Sequence, residues 1–150
     1  RATFDIDIVV EIIETHVSSF IGLLQNISKL GYIDKKTVKT AIKNQKEFNF
    51  IDGETGLKVD FWVTKRDNIS LIRLKRRISK KICGKSVFFI SPEDLILSKL
   101  EWYKQSESSR HLEDIKSILK ISGKKLDMKY LTLWAQKLNV SDILEKLNGK

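Results

Sequence analysis

The sequence predicts an α/β fold of the α+β kind: a small mixed sheet in a first core, followed by a helical region packed beside it. Three observations predict this. Apolar runs of strand length all lie before Ile90. Helical periodicity then continues almost unbroken from Ser91 onward. No stretch rich in Pro, Gly or Ser separates the two parts, and no internal repeat or low-complexity tract is present. The expected division is residues 1–90 for the α/β core and 91–150 for the helical region.

In order, Asp5 to Ile12 reads as a strand and Val17 to Leu30 as an amphipathic helix stopped by Gly31. Asp34 caps a short helix through about Lys46. Phe48 to Ile51 and Leu57 to Val63 read as strands joined by a turn at Asp52-Gly53-Glu54-Thr55-Gly56. A helix is predicted from Asn68 to Ile82, then a strand from Ser86 to Ile90. Ser91-Pro92-Glu93-Asp94 is a strong start signal, with an N-cap Ser, Pro at the first helical position and an acid at the third. Helices follow over Pro92 to Lys104, Ser109 to Ile121, Met128 to Lys137 and Ser141 to Leu147. Tyr130, Leu131, Leu133, Trp134 and Leu138 read as core of the helical region.

The composition is globular, with 41% hydrophobic and 31% charged residues and one Pro among 150. Nothing approaches the run of about 20 apolar residues that a membrane span needs, so no membrane partner is expected. The single Cys83 excludes an internal disulfide and fits a reducing, cytoplasmic location. Two His and one Cys, well separated, argue against zinc.

Three aspartates carry the chemistry. Asp5 and Asp7 sit in Thr3-Phe4-Asp5-Ile6-Asp7-Ile8-Val9-Val10, and Asp60 in Lys58-Val59-Asp60-Phe61-Trp62-Val63. Asp is depleted from strands, yet period-2 alternation points Asp5 and Asp7 to one face. Like charges so crowded repel unless a hard divalent cation such as Mg²⁺ lies between them. The apolar neighbours make both segments read as buried strands, and the set points to phosphoryl or nucleotidyl transfer.

The run Arg1-Ala2-Thr3-Phe4-Asp5-Ile6-Asp7 resembles the end of the first motif of the polymerase-β-like nucleotidyltransferases, in the form found in abortive-infection AbiEii-type toxins. Asp60 resembles the third carboxylate on a neighbouring strand. Ser91-Pro92-Glu93-Asp94-Leu95-Ile96-Leu97-Ser98-Lys99-Leu100 resembles the helix bearing the family's lysine, and Arg110-His111-Leu112-Glu113-Asp114-Ile115 its last motif. The resemblance spans Arg1 to about Leu119. It implies transfer of a nucleoside monophosphate from a nucleoside triphosphate to an RNA, tRNA included, or protein acceptor with Mg²⁺, and an antitoxin protein as partner. Asp5, Asp7 and Asp60 would be catalytic and metal-binding, and Arg1, Lys99 and Asp114 nucleotide-binding. The family's Gly-Ser turn would lie upstream of Arg1, and catalysis is expected where that turn is present. The alternative is a catalytically inactive module on the same fold that binds nucleic acid or a partner protein.

The net charge of +9 is concentrated. Between Lys65 and Lys85 nine basic residues stand against one acid, Asp67. On the predicted helix over 68–82, Leu71, Leu74, Ile78 and Ile82 share one face and Arg73, Arg76, Arg77, Lys80 and Lys81 the opposite one. Such a basic ridge suits nucleic acid, whose counterions it would release, or an acidic partner protein. Lys99 lies inside the apolar arc of its helix, where an ammonium must snorkel, find a partner or meet a phosphate. Arg110 and Asp114, four apart, have the spacing of a surface ion pair. His16 and His111 have no partner pattern.

Overall fold

The computed structural model describes residues 5–147. Its seven helices and two small sheets make a mixed α/β protein of the α+β class. The chain forms two compact units, Arg1–Ser70 and Leu71–Lys150. The hairpin before Ile90 therefore belongs with the helices of the second unit, not with the first as a division at residue 90 would have it. Among the described residues no helix is long and apolar enough to cross a membrane.

The first unit contains strand β1 (Asp5–Val10), helices α1 (Val17–Ile27) and α2 (Lys35–Asn44), and strands β2 (Glu47–Ile51) and β3 (Lys58–Val63). The sheet order is β1-β3-β2, with β1 parallel and β2 antiparallel to β3. Alternation in β2 and β3 sends Phe48, Phe50, Phe61 and Val63 to one face, where they bury against Val17, Ile21, Leu24, Val38 and Ala41 of the two helices. Phe48 and Phe61 stack at 5.2 Å, and Phe20 meets Phe61 edge-on at the same distance. Helix α2 starts at Asp34, whose carboxylate accepts the Thr37 N–H at 2.7 Å. It ends at Gln45, in the left-handed region at φ 51°. Gly53 is required by space: a Cβ there would lie 2.1 Å from the Leu30 carbonyl oxygen.

Strand β1 departs from expectation. The sequence reads it as buried, yet Asp5 through Val9 are exposed, with Ile6 at 46% and Val9 at 54%. The reason is its position. It is the edge strand, and α1 and α2 cover β2 and β3, reaching β1 only at Val10.

The second chain departure is at its basic segment. Helix α3 (Asn68–Arg76) stops at Arg76, and Ile78–Ile82 forms strand β4, paired with β5 (Lys85–Phe89). The two residues between them, Cys83 and Gly84, both have positive φ (49° and 77°), the conformation of a tight hairpin turn. The helix predicted to Ile82 is thus replaced by a hairpin. Helices α4 (Pro92–Ser106), α5 (Ser109–Ser122), α6 (Met128–Lys137) and α7 (Ser141–Leu147) follow. The buried apolar residues here include Ile96, Leu97, Leu100, Ile115, Leu131, Trp134, Val140 and Leu144. The α4 start is as the sequence reads it: the Ser91 hydroxyl accepts the Asp94 N–H at 3.1 Å, with Pro92 next.

Candidate active site on the open sheet face

The face of the first sheet opposite the two helices carries the aspartates. Asp7 is register partner to Asp60, and Asp5 to Lys58. In a parallel pair register partners point the same way, so Asp5, Asp7 and Asp60 share this face with Lys58, Trp62, Glu47 and Asn49. Asp60 is the most enclosed, with its side chain 21% accessible. Asp5 and Asp7 stand exposed on the edge strand.

Among the described residues the partners of Asp60 and Asp7 are local to the sheet. The Lys58 ammonium lies 2.9 Å from Asp60 Oδ2. The Trp62 indole N–H donates to Asp7 Oδ1 at 3.0 Å. Hydrogen bonding to Asp60, then its charge, holds the Lys58 ammonium above the usual lysine range; Asp5 and Glu47 add to this while burial opposes it. The donor chemistry and shared face suit a hard cation, since carboxylate oxygens are its preferred ligands. The side-chain directions are those of an ion-paired face. Among the described residues no three His, Cys, Asp or Glu side chains converge closely enough to hold a metal ion.

The other expected site residues fall as follows. Arg1 lies outside the described residues. Lys99 on α4 and Asp114 on α5 form an ion pair with each other at 2.6 Å, and the Lys99 ammonium lies 5.5 Å from the Trp102 ring centroid. The acid's partner is thus Lys99 rather than Arg110. Nearby His111 is held below the usual histidine range by burial first and by the Lys99 charge second.

The five-residue ridge is not formed. Arg73 turns to Glu101 at 2.7 Å. Arg76 reaches Glu93 and Asp94, each at 3.3 Å, with its guanidinium 3.7 Å from the Tyr130 ring centroid. Arg77 donates to the Leu74 carbonyl and lies over Phe88 at 4.5 Å. Lys80 and Lys81 are neighbours on β4 and so point to opposite faces. The physical reason is that the chain leaves the helix before Ile78, while Glu93, Asp94 and Glu101 capture two arginines.

Sequence reasoning read Glu93 and Asp94 as helix-start residues only, and assigned nothing to Lys58 or Trp62. An acid pair following an uncompensated basic run is the signal that could have linked Arg76 to it. Neither the family models nor the curated proteins compared with this chain match it.

Proposed function

We propose that the chain is a Mg²⁺-dependent nucleotidyltransferase, toxin-like and cytoplasmic, that moves a nucleoside monophosphate from a nucleoside triphosphate to an RNA or protein acceptor. The observation that carries the reading is the register of Asp7 against Asp60 on adjacent parallel strands, with Asp5 on the same open face. The resemblance to polymerase-β-like enzymes calls for three carboxylates on neighbouring strands, and this register supports that reading. Asp5 and Asp7 would hold the cation, and Asp60 would share it and orient the attacking hydroxyl. Mg²⁺, when bound, supplies charge neutralisation at the transferred phosphoryl group. Lys58 must then release Asp60, and its ammonium, next to the same face, is available to a phosphate oxygen.

The test is incubation with each labelled nucleoside triphosphate, Mg²⁺ and total RNA, comparing the wild-type chain with Asp7→Asn and Asp60→Asn. Label transfer that both substitutions abolish is the expected result; transfer that survives in both removes the carboxylates from the chemistry. A second reading, an inactive module on the same fold that binds nucleic acid or a partner such as an antitoxin, is favoured by one observation: the Lys58 ammonium pairs with Asp60 at 2.9 Å.

A further inference from the structure

We propose that one face of the β4–β5 hairpin binds single-stranded nucleic acid through an arginine-phenylalanine stack beside Lys81. The surface is independent of the chemistry proposed for the sheet. No acidic residue occurs between Asp67 and Glu93. With Arg73 and Arg76 paired internally, Lys75, Arg77, Lys80, Lys81 and Lys85 remain without an ion pair among the described residues. Such a set repels itself, and a polyanion relieves the repulsion while releasing its own counterions.

The register supplies what the charge alone does not. Ser79 faces Phe88 and Lys81 faces Ser86, so Arg77, Ser79, Lys81, Ser86 and Phe88 share one face. The two serines are too small to cover the phenylalanine, which is 56% exposed. The Arg77 guanidinium lies over its ring at 4.5 Å and is fixed by its hydrogen bond to the Leu74 carbonyl. A base can extend this stack while Lys81 meets the adjoining phosphate, the combination by which sequence-tolerant single-strand binders work. Bases in a duplex are already stacked on each other and gain nothing from the ring. A lipid surface fits less well, because cations and apolar residues interleave instead of segregating: Lys80 stands between Ile78 and Ile82 on the opposite face.

Fluorescence polarisation of a labelled uridine oligonucleotide of about a dozen residues, titrated with the whole chain at several salt concentrations, tests this. Each phosphate contact contributes about −0.7 to the slope of log affinity against log salt, so replacing Lys81 with Gln should flatten the slope by about 0.7, whereas replacing Lys80 and Lys85, which stand on the opposite face, should leave it unchanged. Phe88→Leu keeps the apolar volume but removes the ring, and should weaken binding about fivefold or more with the slope unchanged. These positions are exposed, and an unchanged far-ultraviolet circular dichroism spectrum will show that the variants fold. The proposal is overturned if Lys81→Gln keeps the wild-type slope, if Phe88→Leu binds as wild type, if a duplex of the same length binds as tightly as the single strand, or if phosphatidylserine vesicles compete more effectively than the duplex.

Discussion

Two groups of carboxylates in this chain are treated in opposite ways. Asp94 is fully buried and Glu93 nearly so, and each is hydrogen-bonded by more than one donor. Asp94 accepts from the Ser91 hydroxyl at 2.7 Å, the Tyr130 hydroxyl at 2.7 Å and Arg76 Nε at 3.3 Å. Glu93 accepts from the Asp127 N–H at 3.0 Å and from Arg76 Nη2 at 3.3 Å. Asp127 in turn caps α6 through the Tyr130 N–H. One network thereby joins the end of α3 to the starts of α4 and α6. Among the described residues Asp60 pairs with Lys58 and Asp7 accepts from the Trp62 indole, while Asp5 and Asp7 stand exposed. Saturated, buried acids serve the fold; the exposed acids of the open sheet face contribute little to it.

The largest effect separating the two groups should come from Arg76→Met. It leaves the Asp94 charge buried without its cation, and urea unfolding should show a loss of about 3 kcal/mol. A loss below about 1 kcal/mol would place the buried acids on the same footing as those of the sheet. Tyr130→Phe removes one donor to Asp94 and should cost about 1–3 kcal/mol in the same measurement. The Tyr130 hydroxyl is held well above the usual tyrosine range by its burial and then by the Asp94 carboxylate, so this loss should be constant across neutral and mildly alkaline pH.

A smaller, pH-dependent difference should come from Glu93. Burial pushes its carboxyl up, but the Asp127 N–H and the Arg76 charge outweigh this and hold it below the ordinary 4.5. A depressed acid contributes stability that is present above the unfolded value and lost as pH falls through the folded one. Stability should therefore fall as pH drops below about 4.5, and Glu93→Gln should flatten that fall. An identical acid limb in the variant would assign the acid sensitivity to other carboxylates. The smallest stability effect should be Asp7→Asn, within about 0.5 kcal/mol of wild type, because Asp7 is exposed and an amide still accepts the Trp62 N–H. A loss of several kcal/mol in this variant would make Asp7 a structural residue and erase the contrast.

Local signals were legible where the local chemistry is unambiguous. Asp34 and Ser91 cap the helices they were read to cap, and alternation alone assigns Asp5 and Asp7 to one face. The helix expected over 68–82 failed for a physical reason: Leu71, Leu74, Ile78 and Ile82 satisfy a helical period, and the Cys83-Gly84 turn lacks the usual Asn-Gly or Asp-Gly mark of a hairpin. The exposure of β1 was hidden because alternation gives a face but not how far two helices extend across it. Lys58 as the partner of Asp60, Trp62 as the donor to Asp7 and Lys99 as the partner of Asp114 are tertiary facts, set by register and helix packing.

The strand order also fixes a sequence of events in time. Strands β2 and β3 are joined by a short turn, whereas β1 must find β3 across about fifty residues, so its loop-closure entropy is larger and its pairing slower. The hairpin can form first, presenting Asp60 alone, and the three aspartates share a surface only when the edge strand docks. The same step reverses most readily. Amide hydrogens of β1 should exchange with solvent faster than those of β3, so that the candidate active face is dismantled by local opening long before the phenylalanine core beneath it unfolds.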